Sequence, residues 1–212
     1  MSVVVGVRHT KGVVLAGDLQ WSGENSNRMG TQSKVHSLLD TLALGYVGSG
    51  RFGQILQYHL TDTLEDPFLP RDERDEEYWT VKEFIPYLRE QTEMHGHLHI
   101  HHNVEEFGPS AFLLAVRGKL FCIESDFSVN EHRLPYEAVG SGEDNAIGVL
   151  HSVLGDDPEG ELPTRAKAEK AARKAVSAAM QFNNYVGGDI TVVETTLWST
   201  EETETAKRIL GR

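Results

Sequence analysis

Two apolar runs near the start of the chain constrain its fold more than any other feature. Residues 3–7 and 13–16 are rich in valine and flank the polar segment 8–12. This pattern predicts a β-hairpin with buried strands. A terminus normally frays unless it is tied down, so a hairpin that begins this early should hold Ser2 in a fixed position.

The composition limits the class of protein. The 212 residues suffice for one domain with a sizeable core, and 39% hydrophobic and 25% charged residues are typical of soluble globular proteins. No run approaches the roughly 20 apolar residues of a membrane span, and no secretory signal pattern is present. The net charge of −12 argues against nucleic acid or a membrane surface as a partner. Cys122 is the single cysteine, which excludes an internal disulfide and favours the cytoplasm, and no pattern calls for a cofactor.

The order of predicted elements indicates the fold class. After the hairpin we expect a loop over 21–30, strands over 31–36, 41–47, 111–116, 119–125, 136–140 and 189–195, and helices over 51–64, 81–94, 143–154 and 164–182. A charged loop is expected over 65–77 and a polar tail over 201–212. Such segregated runs predict an α+β domain over 1–212 with antiparallel sheets and helical layers, for which a four-layer αββα sandwich is one solution.

Ser2 is the first candidate for catalysis. Small second residues normally permit removal of the initiator methionine, which would leave Ser2 with both a hydroxyl and a free α-amine. A serine hydroxyl is a weak nucleophile and needs a nearby base. An α-amine has a pKa of about 8, so near neutral pH it can accept the hydroxyl proton.

Further polar residues accompany it at well-defined places. Asp18 ends the apolar run of the hairpin, Lys34 lies in an expected strand, and Ser141 lies in a Gly-Ser-Gly turn. Taken singly, these residues have ordinary structural explanations as a cap, a solvated lysine and a turn. The segment Gly-Val-Val-Leu-Ala-Gly-Asp over 12–18, the turn Tyr-Val-Gly-Gly over 185–188 and Gly48 complete a recognisable set.

With these motifs, most of residues 2–195 resembles the β-type subunits of the proteasome, which are N-terminal nucleophile hydrolases, and is similar to HslV-like peptidases among them. Ser2, Asp18, Lys34 and Gly48 fall at the family spacing without a gap. The resemblance implies the αββα fold with two antiparallel sheets between helical layers.

The resemblance also implies a role for each catalytic candidate. Ser2 would attack a peptide carbonyl. Lys34, as an ammonium, would lower the pKa of the hydroxyl and the α-amine, and Asp18 would hold Lys34 charged. The backbone N–H of Gly48 would stabilise the oxyanion, and Ser141 would support the α-amine.

Substrate binding is implied for Gln20, Ser22, Gly48 and Ser49. Ser22 falls where the family uses serine or threonine against the substrate backbone, and Gln20 stands where many members carry arginine and HslV-like members carry glutamine. The helix expected after Gly48 would add its N-terminal N–H groups to an anion site.

The implied function is that of a threonine-type endopeptidase, here with serine, that cleaves peptides or unfolded protein. It implies a self-compartmentalised homo-oligomer and an ATP-dependent unfoldase as a possible partner. Two alternatives stay open. A catalytically inactive shell or binding subunit is favoured by a retained Met1, by Asn183 in place of the family acid and by Val186 in place of its serine. An amidase on a small substrate is the other.

A histidine-rich run has no place in that scheme. His95, His97, His99 and His101 alternate, so on a strand they would share one face. Neutral imidazoles with this spacing could bind Zn²⁺ or Ni²⁺, or could make assembly depend on pH. The alternative is a solvated or oligomer-facing segment without a metal.

Overall fold

Strands and helices follow one another in segregated runs along the chain. The computed structural model describes residues 2–23, 26–60 and 76–197. The strands are β1 (Val3–His9), β2 (Gly12–Asp18), β3 (Gln20–Gly23), β4 (Ser26–Met29), β5 (Val35–Leu39), β6 (Leu42–Val47), β7 (His99–His101), β8 (Val104–Glu106), β9 (Ala111–Val116), β10 (Lys119–Ile123), β11 (Val129–Glu131), β12 (Tyr136–Gly140) and β13 (Ile190–Thr196). The helices are α1 (Gly50–Gln54), α2 (Glu76–Trp79), α3 (Ile85–Met94), α4 (Glu143–Leu154) and α5 (Arg165–Phe182).

Two antiparallel sheets form the centre of the structure. The first has the order β12-β1-β2-β13, so the predicted N-terminal hairpin is confirmed and occupies its two middle positions. The second has the order β11-β10-β9-β6-β5. Each sequence-adjacent pair within them is a hairpin or a short connection, which is why antiparallel pairing dominates.

Three apolar clusters lie between four successive layers of helices and sheets. One lies between the first sheet and α4 and α5, and a second lies between the two sheets. The third lies between the second sheet and α1, α2 and α3. The predicted αββα sandwich is therefore confirmed.

The opening hairpin is apolar throughout because both of its faces are covered. Val3, Val5 and Val7 face α4 and α5, whereas Val4 and Leu15 face the second sheet. Burial on both sides removes the usual alternation of apolar and polar residues along a strand. Ser2 therefore immediately precedes a strand with buried neighbours on every side.

Several local predictions need correction. The loop expected over 21–30 contains the β3–β4 hairpin, and Lys34 lies just before β5 rather than inside a strand. Of the charged loop expected over 65–77, residues 65–75 lie outside the described residues, and Glu76 and Glu77 form the first turn of α2. The tail expected over 201–212 also lies outside them.

The helices of the second helical layer are less regular than expected. α1 continues into a π-helical turn over Ile55–His59, and another over Thr80–Phe84 joins α2 to α3. Pro86 follows this second π-helical turn and has no N–H to donate to the carbonyls before it, which accords with the local departure from α-helical hydrogen bonding. None of the helices in the described ranges is both long and apolar enough to span a lipid bilayer.

Candidate active site

Asp18 is the centre of a buried hydrogen-bond network at the end of β2. Its side chain is 0% exposed, and each carboxylate oxygen accepts two bonds. Oδ1 accepts from Lys34 Nζ (2.8 Å) and the Val3 N–H (3.0 Å). Oδ2 accepts from the N–H groups of Gln20 (3.1 Å) and Gly187 (3.2 Å). Asp18 thus joins the N-terminus, β3, the segment before β5 and the turn before β13.

Lys34 is held by that network. Its ammonium donates to Asp18 and to the Gln20 carbonyl (2.6 Å), and the residue is 4% exposed. Burial lowers the pKa of Lys34, and the charge of Asp18 together with its hydrogen bond opposes this shift. These two bonds use two of the three N–H donors of the ammonium.

Ser2 is fixed through its main chain. Its carbonyl accepts from the Ser141 hydroxyl (3.4 Å) and the Gly142 N–H (3.4 Å), and the next N–H along the chain, that of Val3, donates to Asp18. Ser2 is 5% exposed. The predicted tie-down of the N-terminal residue therefore has a structural basis in two elements distant in sequence.

Two clefts meet at Ser2. The first is lined by Ser2, Gln20, Trp21, Ser22, Lys34, Tyr46, Val47, Gly48 and Gly50. The second is lined by Ser2, Val47, Gly48, Ser49, Pro109, Gly140 and Ser141. Ser2, Val47 and Gly48 line both clefts, so a chain lying through both clefts would pass these three residues.

Gly48 makes the sharp turn between β6 and α1. Its φ is +103°, and a Cβ at this position would overlap Ser110 and the Pro109 carbonyl. Ser49 follows as the N-cap of α1, where its hydroxyl accepts from Phe52 N (3.4 Å) and its own N–H donates to Ser110 Oγ (3.0 Å). The site therefore needs glycine at residue 48 for steric reasons.

The β3–β4 hairpin is fastened to the segment before β13. Gln20 Nε2 donates to the Asn184 carbonyl (2.9 Å) and to Ser22 Oγ (3.2 Å). Ser22 Oγ donates to the Tyr185 carbonyl (3.3 Å), and Asn27 Nδ2 donates to Asn184 (2.7 Å). These bonds set the position of the hairpin that forms one wall of the first cleft.

Asn183 stands where the family resemblance implies an acid. Its amide donates to the Ser141 carbonyl and accepts from Tyr185 N (2.9 Å). Glu143, at the start of α4, accepts from Gly140 N (3.2 Å), and burial raises the pKa of its carboxyl. Neutral and acidic side chains thus stabilise the turns on either side of Ser141.

None of the four histidines of the run lines either cleft at Ser2. His95 and His97 lie in the turn that follows α3, and His99 and His101 lie on the exposed strand β7. Within the described residues, no three histidine, cysteine, aspartate or glutamate side chains converge in a way that could hold a metal ion. The structure thus offers these four histidines no shared metal-binding geometry.

The structure brings the predicted residues together around Ser2, in the network or in the clefts. They are Ser2, Asp18, Gln20, Ser22, Lys34, Gly48, Ser49 and Ser141. Trp21, Tyr46 and Ser110 are contributors that the sequence did not indicate, because no spacing marks a cleft wall or the partner of a backbone N–H.

Comparisons with known proteins agree with this architecture. The family model described as Proteasome subunit matches residues 2–195. The structure is similar to Thiobacillus denitrificans BPH, alone and in complex with epoxomicin, at 19% identity and a TM-score of 0.68 in each case. These matches cover 92% of this chain and 98% or 99% of the other. Eukaryotic HslV from Trypanosoma brucei is similar at 19% identity and a TM-score of 0.64, over 92% of this chain and 99% of the other. No curated protein sequence matches this chain.

Proposed function

Because this chain belongs to the proteasome subunit family, we propose that it is an N-terminal nucleophile peptidase that uses Ser2 once Met1 has been removed. The observation that carries the proposal is the buried Lys34–Asp18 ion pair, since Lys34 shares one cleft with Ser2 and Gly48. Burying two charged side chains costs desolvation free energy, so a buried ion pair is weak evidence for a purely structural role. Ionisable groups with shifted pKa values cluster at functional sites.

The chemistry assigned to these residues is an acyl transfer followed by hydrolysis. Ser2 Oγ forms a bond to the peptide carbonyl carbon, and its proton passes to the α-amine. The oxyanion faces the Gly48 N–H. The carbon–nitrogen bond then breaks, and the α-ammonium returns its proton to the leaving amine. Water attacks the resulting ester, which releases the acid and restores the Ser2 hydroxyl.

Lys34 and Asp18 would act on the protonation state of that amine. A nearby ammonium lowers the pKa of the α-amine, so a larger share of it is neutral and basic near pH 7. Asp18 opposes the effect of burial on Lys34 and so keeps the ammonium charged. The Ser141 hydroxyl would position Ser2 by donating to the Ser2 carbonyl. Gln20, Ser22 and Ser49 line the clefts, where a substrate would contact them.

Family membership supports three further parts of the proposal. We propose that residues 1–212 act as one domain, that copies of the chain assemble into a cytoplasmic homo-oligomer, and that an ATP-dependent unfoldase supplies unfolded protein. Native mass spectrometry of the purified protein would report the assembly, and a mass equal to one chain would contradict it.

The test of the nucleophile is covalent labelling. Epoxyketones react with a hydroxyl and a free α-amine on the same residue, and BPH, a similar structure, is described in complex with epoxomicin. We expect intact mass to show loss of Met1 and one adduct, mapped to Ser2. Ser2→Thr should keep the adduct because it keeps both groups, and Ser2→Ala should lose it. Ser152→Ala, at an exposed position of α4, is the matched control.

A protein that lacks Met1, is folded and yet forms no adduct would contradict the proposal. Peptide cleavage that survives Ser2→Ala would contradict it equally, because the activity would then come from another group. Either result would favour an inactive or binding subunit of the same fold.

A further inference from the structure

The indole of Trp21 closes one side of the first cleft. It lies between Gly30 and Gly50, and a Cβ on either glycine would overlap the ring. The five-membered ring lies against Gly30 and the six-membered ring against Gly50. Two positions without side chains therefore form a slot that the indole fills, so the ring has little room to turn away from the cleft.

Tyr46 is a second aromatic residue in the lining of this cleft. Tyr46 is 3% exposed, and its ring lies so close to Gly53 that a Cβ there would overlap it. It also stacks on His36, with ring centroids 6.1 Å apart. Trp21 and Tyr46 are thus both held in fixed positions in the walls of the cleft that opens beside Ser2.

The space left between these walls is small. The cleft has a cavity volume of about 40 Å³. Since each water molecule needs about 10–15 Å³ by the same measure, the cleft holds roughly three heavy atoms. Alanine, serine and glycine side chains fit within that limit, and leucine, phenylalanine and lysine exceed it. Lys34 in the cleft wall further disfavours a basic side chain.

From this geometry we propose that Trp21 is a specificity-determining residue, which restricts one of the two substrate residues at the scissile bond to a small uncharged side chain. The inference rests on the proposed peptidase function and names the substrate class of the same site. Pockets discriminate by about 10- to 200-fold for one methylene group. We therefore expect alanine to be preferred over leucine at that position by at least about 10-fold.

The test is a digest of a peptide library, with the products sequenced by mass spectrometry so that both residues at each cut are known. The full chain is compared with Trp21→Ala, Trp21→Phe and Tyr78→Ala. Tyr78 is an exposed aromatic residue in α2 and serves as the control. We expect Trp21→Ala to admit leucine and larger residues at the restricted position, Trp21→Phe to give an intermediate profile, and Tyr78→Ala to match the unmodified chain.

Epoxyketone labelling of Ser2 in the same samples separates the two proposals. Labelled, active protein that accepts large residues at both positions overturns the inference and leaves the peptidase function standing. If the protein shows no label and no cleavage, both proposals are overturned. If Trp21→Ala fails to label because it misfolds, the profile of the unmodified chain and that of Trp21→Phe still decide, because a broad profile in the unmodified chain refutes the restriction.

Discussion

Replacement of Asp18 by asparagine should destabilise this protein far more than its small change in shape suggests. The carboxylate accepts four hydrogen bonds, two on each oxygen, and its side chain is fully buried. An asparagine keeps one oxygen and turns the other into an N–H₂ donor. In either orientation of the amide, two donors that now bind Asp18 would face another donor.

The preferred orientation follows from the partners. An amide nitrogen in place of Oδ1 would face Lys34 and Val3, and one in place of Oδ2 would face Gln20 and Gly187. The second keeps a bond to the ammonium, so we expect it. Two unsatisfied donors cost about 1–3 kcal/mol each, and removing one partner of a buried ion pair costs about 3–5 kcal/mol. Because the two costs fall on different donors, the ion-pair figure is a lower bound, and we expect a loss of at least about 3–5 kcal/mol.

Urea unfolding followed by far-UV circular dichroism measures this loss. Asp156→Asn is the matched control, since Asp156 is exposed in the loop after α4, and such changes stay within about 0.5 kcal/mol. The double variant Asp18→Asn/Lys34→Met removes both charges. Exchange of a buried ion pair for apolar groups is often neutral, so the double variant should recover part of the stability lost in Asp18→Asn.

Two results would refute this reasoning. If Asp18→Asn cost no more than Asp156→Asn, the network would not contribute to stability as the geometry indicates. If the double variant were less stable than Asp18→Asn by the full cost of a second buried change, the unpaired ammonium would not be the source of the loss.

Three other outcomes follow from the site and the core. Gly48→Ala should lower kcat/KM for peptides by about 100- to 1000-fold, because the new Cβ would push the turn away from Ser110 and displace the proposed oxyanion donor. Gly148→Ala on α4 is the control, since a Cβ there would contact nothing within 4 Å, and it should leave activity unchanged. Since burial lowers the pKa of Lys34, kcat/KM should fall on the alkaline side at a pH below 10.5, and an unchanged rate through pH 10.5 would contradict a role for the ammonium. Burial also lowers the pKa of His36 in the folded protein. As the pH falls through 6.5, the unfolded chain therefore takes up this proton before the folded protein does, and the free energy of unfolding should decrease. The decrease should be less steep in His36→Phe, which has no imidazole to protonate.

The sequence was informative wherever a local pattern decides the structure. The β-branched runs around residues 8–12 specify the opening hairpin. The helix expected over 164–182 is α5, and Thr164 is its N-cap, accepting from Lys167 N (3.4 Å). Asp18 and Gly48 stand at the ends of predicted strands, whereas Lys34 was expected inside a strand and lies just before β5. The family spacing singled out the three residues together. The order of such elements predicted antiparallel sheets with helical layers, and the family resemblance indicated the four-layer arrangement.

Contacts between distant segments could not be inferred in the same way. The β3–β4 hairpin was expected to be a loop because residues 21–30 are polar, and bonds from Gln20 and Asn27 to Asn184 now hold it. In the sequence, Trp21 and Tyr46 cannot be distinguished from other core or surface aromatic residues. Their position in the cleft depends on close contacts with glycines in other segments of the chain. The short strand β7 in the histidine run likewise depends on its pairing with β8.

The central position of the N-terminal hairpin has a consequence for how the protein is made. β1 and β2 leave the ribosome well before their outer neighbours β12 and β13, which lie more than 100 residues later in the chain. At about 5–20 residues per second, the sheet edges stay open for roughly 10–40 s. During that time Asp18 lacks Gly187 and Ser2 lacks Ser141. The proposed nucleophile is therefore synthesised long before Ser141 and Gly187, and the proposed site is complete only after both of these residues have been added to the chain.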